Sequence, residues 1–146
     1  KQRTPYLTEA KDLTLAQSQY ELVAYGVFVG SLFGIVGLAA VLTFFENSNF
    51  IYLIWSFCSA AVIYSIFSVI RNYELIPSYI ISIAPSVIVA FSFYEALMIN
   101  SSILTLTIFV CLFLLSLKYG WRVTRIVAWQ KHNGNIEINN KKAWGQ

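Results

Sequence analysis

Glu95 is the carboxylate in this chain whose setting comes closest to chemistry. It stands five residues before Asn100, at the end of an apolar stretch that begins at Leu75, and no Lys or Arg lies between Asn72 and Leu117. At 1.5 Å per residue that places it roughly 7 Å inside a helix end. Low dielectric favours the protonated form of a carboxyl, the property a proton or cation carrier uses. Pro85 precedes it on the same stretch and has no N–H to give the carbonyl of Ile81. A carboxyl and a proline bend on one membrane helix are parts a channel or transporter could use, so Glu95 is the candidate ion or proton site. The plainer readings are a carboxylate reaching the headgroups beside Asn100–Ser102 and a static bend whose freed groups Ser82 and Ser86 satisfy.

Other reactive constellations are missing from the sequence. His132 is the single histidine and Asp12 the single aspartate, so a bis-histidine haem and paired-aspartate chemistry cannot be built from this chain alone. Cys58 and Cys111 lie inside apolar runs without CxxC spacing, as small packing residues do. No GxSxG, HExxH, P-loop or dinucleotide fingerprint occurs. The expectation is a protein with no catalytic residues, no metal site and no cofactor.

Small residues carry more pattern than reactive ones. Gly26, Gly30 and Gly34 recur every fourth residue, with Gly37 close behind. Residues at i, i+4 and i+8 share a helix face, so these positions form a groove that another backbone can approach, where van der Waals contact drives association in lipid. Ser78, Ser82, Ser86 and Ala90 repeat the spacing further along, with hydroxyls able to bond across an interface. The pairing expected is helix 1 or helix 2 against helix 3, with Gly30→Leu more disruptive than Val29→Leu.

These rows sit on elements that only a bilayer can accommodate. The chain of 146 residues is 58% hydrophobic and 12% charged, well below the charge of a soluble domain. Uncharged runs cover 22–45, 50–70 and 75–94, the third able to continue to Met98, and a fourth starts near Ile103. Each is long enough to cross a hydrocarbon core of about 30 Å. The fold class expected is an all-α integral membrane protein, a four-helix transmembrane bundle with helices near 22–45, 50–70, 75–98 and 102–128. Loops of about four or five residues would make consecutive helices antiparallel neighbours. Tyr20, Tyr25, Tyr52, Trp55, Tyr73, Tyr79, Tyr119, Trp121 and Trp129 gather toward run ends, as interfacial aromatics do.

The flanks complete the organisation. Residues 1–20 form a polar segment with a helix start at Thr8, residues 21–129 the transmembrane domain, and residues 130–146 a small C-terminal extension. In that extension Asn133-Gly134 is a tight-turn pair and Ile136-Glu137-Ile138 alternates like a strand, which predicts a short hairpin with Val127, Trp129 and Lys131. A start at Lys1, with no signal-peptide core behind it, is expected of a processed or trimmed chain.

All ten Lys and Arg fall on one side once four spans are drawn: Lys1, Arg3 and Lys11 before the first, Arg71 between the second and third, and six from Lys118 onward. The positive-inside rule then expects a multi-pass protein of a bacterial or organelle inner membrane, with both termini in the cytoplasm or matrix. The cations are too dispersed for nucleic-acid binding. The partners expected are membrane lipids and other membrane subunits or further copies of the chain. The functional expectation is a non-catalytic small subunit of a larger membrane complex. The alternative is a small homo-oligomeric channel or transporter that uses Glu95 and the helix bent at Pro85.

Overall fold

The computed structural model describes residues 13–143, with side chains described through residue 132. Those residues form four helices: α1 (Leu15–Asn47), α2 (Phe50–Asn72), α3 (Leu75–Met98) and α4 (Ile103–Ala143). All four are long and apolar enough to cross a membrane. The described chain is all-helical, with no strand among the described residues.

Local chemistry explains the boundaries. Thr14 caps α1 in a capping box: its Oγ1 accepts from the Gln17 amide at 3.2 Å, and Gln17 Oε1 accepts from the Thr14 amide at 3.1 Å. The N-cap expected at Thr8 lies outside the described residues. Ser48 ends α1 with φ 51° and Tyr73 ends α2 with φ 51°, so each helix reverses through a left-handed residue. Asn49 then caps α2, its Oδ1 accepting from the Ile51 amide at 3.1 Å. Glu74 accepts from Ser68 Oγ at 2.8 Å and Asn72 Nδ2 at 3.3 Å, which ties the second turn together.

After α3, Asn100 takes φ 50° while the Ser101 amide reaches Ala96 O at 3.0 Å and the Asn100 amide reaches Leu97 O at 3.2 Å. That pair of bonds is a Schellman closure. Two of the three connections are therefore shorter than expected, Ser48–Asn49 and Tyr73–Glu74, because left-handed caps reverse the chain within the helix ends.

Connections this short make α1 an antiparallel neighbour of α2, and α3 of α4. The α1–α2 and α3–α4 hairpins meet along α2 and α3, while α1 touches α4 over a shorter stretch. The expected pairing of helices 2 and 3 is present, but the two small-residue rows do not meet each other. The core lies toward the end holding Glu21 and Arg122. Leu22, Tyr25, Val29, Val69, Ile81, Val123 and Ile126 are buried there. Toward the opposite end burial thins out to Ala40, Ser59 and Ala96. The apolar stretch of α4 is the least covered, with 6% of its most hydrophobic window buried, against 22–33% in the other helices.

The C-terminal hairpin is not formed. Asn133-Gly134 and Ile136–Ile138 lie inside α4, as do Val127, Trp129 and Lys131. A lone two-stranded hairpin leaves both outer edges unpaired, whereas continuing the helix gives each added N–H a carbonyl one turn back.

Candidate functional site

Two buried polar arrangements join the helices. In the first, α1 brings Glu21, one residue before the uncharged run, to a fully buried position at 0% exposure. Arg122 of α4 meets it with Nε 2.6 Å from Oε1 and Nη2 3.1 Å from Oε2, a two-pronged ion pair. Tyr119, one turn earlier on α4, donates to the same Oε1 at 3.3 Å. One turn before Glu21, Ser18 accepts from Gln130 Nε2 at 2.6 Å and donates to Leu15 O at 2.8 Å. Gln130 Oε1 is buried with no hydrogen-bond partner among the described residues.

In the second arrangement, α3 runs through Pro85 as continuous helix, leaving the carbonyl of Ile81 without its helical donor. The Tyr25 hydroxyl of α1 donates to that carbonyl at 3.0 Å. Its ring lies 5.4 Å from that of Tyr119, which links the two arrangements. The expected donors, Ser82 and Ser86, are used elsewhere. Ser82 Oγ donates to Ser78 O at 2.6 Å, and Ser86 Oγ shares a 2.7 Å hydrogen bond with Ser116 Oγ of α4. A phenol on a neighbouring helix reaches the freed carbonyl, and no periodicity within α3 could have revealed that.

The glycine row faces α2. A Cβ at Gly26 would stand 2.9 Å from Ile66 Cγ2 and 3.0 Å from Ile70 Cδ1, and one at Gly37 would stand 2.9 Å from Ser59 Cβ. At Gly30 the nearest atom, Ile66 Cδ1, is 3.5 Å away, and at Gly34 nothing lies within 4 Å. The row is thus closed at its two ends and open in its middle. Beside it, Gly26, Gly30, Ser31, Ile63, Ile66 and Ile70 border an open groove of about 420 Å³. Val29 is fully buried while Gly30 is partly exposed.

Gly120, which the spacing argument did not single out, makes the closest approach of the described glycines, because a Cβ there would collide with the Ser82 carbonyl oxygen. The serine row accordingly lies against α4, with Ser78, Ser82 and Ser86 buried. Ala90 is exposed beyond it and borders a second groove, of about 230 Å³, with Phe93, Phe109, Val110 and Leu114.

Glu95 is exposed in the last turn of α3, where its backbone carbonyl accepts from the Ile99 amide at 3.2 Å. Pro85 is buried and roughly 15 Å away along the helix. Neither residue borders either groove. Cys58 and Cys111 are free and exposed on α2 and α4. Among the described residues no group of three His, Cys, Asp or Glu is placed to hold a metal ion.

Sequence reasoning missed the Glu21–Arg122 pair, since an acid at the head of one apolar run and a base at the tail of another read as separate interfacial charges. The available signal was a carboxylate at one span end and a cation at the matching depth of another. No protein-family model, curated protein or solved structure matches this chain.

Proposed function

We propose that the protein is a non-catalytic subunit of a larger membrane assembly, with both termini on the cytoplasmic or matrix side. The observation that carries this reading is Gly34. Glycine costs about 1 kcal/mol relative to alanine inside a helix, and internal packing repays that cost at Gly26 and Gly37, where a Cβ would collide with α2. A Cβ at Gly34 would meet no neighbour within 4 Å, although it continues the same face. A lipid-facing position has no use for a bare backbone, whereas a second helix packed closely on that face does.

Purification in mild detergent followed by mass measurement of the intact particle tests this. Stoichiometric foreign subunits, lost in Gly34→Leu while the chain itself stays folded, are expected. A particle made only of copies of this chain, carrying ion flux in liposomes, would replace this reading with the homo-oligomeric channel.

A further inference from the structure

We propose that the outward face of α4 formed by Lys118, Trp121, Arg125 and His132 is a binding site for an anionic phospholipid. Its phosphate would lie on the two cations and an acyl chain in the groove beneath them. The proposal rests on α4 spanning a membrane and is otherwise independent of the subunit reading. At 100° per residue these four side chains share one narrow arc of the helix, and all four are exposed. The opposite arc, with Gly120, Val123 and Val127, is buried in the bundle, so the cationic face is held outward.

Depth, charge and continuity point to a lipid. About 20 helical residues cross the hydrocarbon core, so a span starting at Ile103 reaches the phosphate level between Lys118 and Arg125. Arg122, in the same turns, is directed to Glu21, whereas Lys118 and Arg125 have no ion-pair partner among the described residues. Glu74 is engaged by Ser68 and Asn72, and Glu46 and Glu95 sit at the other end of the bundle. The Arg125 guanidinium carbon lies 6.0 Å from the centroid of the Trp121 ring, a residue that itself favours the headgroup layer. One turn below Lys118 the same arc continues as exposed Leu114 and then Val110, which border the groove left open by Ala90 and Phe93. A cation one turn above an apolar groove, with a second two turns further along the same arc, matches a phospholipid, whereas an acidic protein segment would have no use for the groove.

The test uses the full chain in nanodiscs of equal phosphatidylglycerol and phosphatidylcholine with identical acyl chains, extracted gently and weighed by native mass spectrometry. Phosphatidylglycerol should be enriched among retained lipids. Lys118→Gln with Arg125→Gln should cut that preference roughly tenfold or more, with helix content unchanged by circular dichroism, while Lys118→Arg with Arg125→Lys should keep it. Ala90→Phe should lower retention of both lipids without changing their ratio. Equal retention of the two lipids by the wild-type chain overturns the proposal, whether or not an acidic protein co-purifies. So does a preference that survives loss of both cations, or one that millimolar inorganic phosphate abolishes, since that would mark a free-phosphate site. A chain that stays soluble without detergent would instead overturn the membrane-spanning reading.

Discussion

The Tyr25 hydroxyl donates to the Ile81 carbonyl at 3.0 Å, and that carbonyl is the one Pro85 leaves without a helical donor. A helix defect in α3 is thereby converted into a bond between α1 and α3, two helices that otherwise touch little. The proline and the tyrosine form one device, which a double-mutant cycle can isolate.

Tyr25→Phe should destabilise the folded chain by about 1 kcal/mol, the scale of a membrane-buried hydrogen bond whose loss leaves a carbonyl unpaired. In a Pro85→Ala background the same change should be nearly silent, because residue 85 then supplies the missing N–H. Reversible unfolding in bicelles measures both. An equal cost in the two backgrounds would show that the hydroxyl acts independently of the bend.

Breaking the Glu21–Arg122 pair from one side should cost more. Glu21 is fully buried and Arg122 is 19% exposed, so Arg122→Met would leave a buried carboxylate without its main partner, at about 3 kcal/mol or more. Glu21→Met with Arg122→Met should recover much of that loss, since neither charge then needs compensation. A double variant as unstable as the single one would mean that the arginine contributes chiefly by packing.

Glycine substitutions should separate by position. Gly120→Ala drives a Cβ into the Ser82 carbonyl oxygen, which forces α3 and α4 apart at a cost of about 1–3 kcal/mol. Gly34→Ala meets nothing, so the isolated chain should gain about 0.5–1 kcal/mol from helix propensity alone. Thermal unfolding of the two variants in one detergent ranks them, and a loss at Gly34 as large as at Gly120 would contradict the open middle of the row.

Glu95→Gln should leave stability and helix content unchanged, because the side chain is exposed and makes no ion pair among the described residues. The same variant in liposomes decides the alternative function: loss of proton- or cation-dependent flux with normal assembly would establish Glu95 as a transport carboxyl.

Topology is open to cysteine labelling. Ser101→Cys, introduced after replacing the exposed Cys58 and Cys111 with serine, should react with an impermeant thiol reagent only from the side opposite the termini. Labelling solely from the side of the termini would contradict the four-span path itself.

Sequence alone determined the helical elements. Long uncharged runs cannot be hidden within so short a chain, so four helices long and apolar enough to cross a bilayer core follow. The bounds of α2 and α3 match closely, whereas α1 begins at Leu15, about two turns before residue 22, and α4 runs on to Ala143, well past residue 128. Proline chemistry likewise identified the orphaned carbonyl of Ile81, since it depends only on covalent structure. Partner choice was another matter. The rows of Gly26–Gly37 and Ser78–Ala90 declare that something approaches closely, but a missing side chain is complementary to any smooth surface. Only the packed bundle assigned Gly26 to Ile66 and Ile70, and Ser82 to Gly120. The hairpin read from Asn133-Gly134 failed because turn propensity is local and weak beside a helix that can simply continue. Glu21 and Arg122 are separated by nearly the whole fold in sequence, and two charges at span ends look the same whether they face headgroups or each other. The tertiary arrangement of the antiparallel helices brought them to one depth, turned both inward and made them a pair.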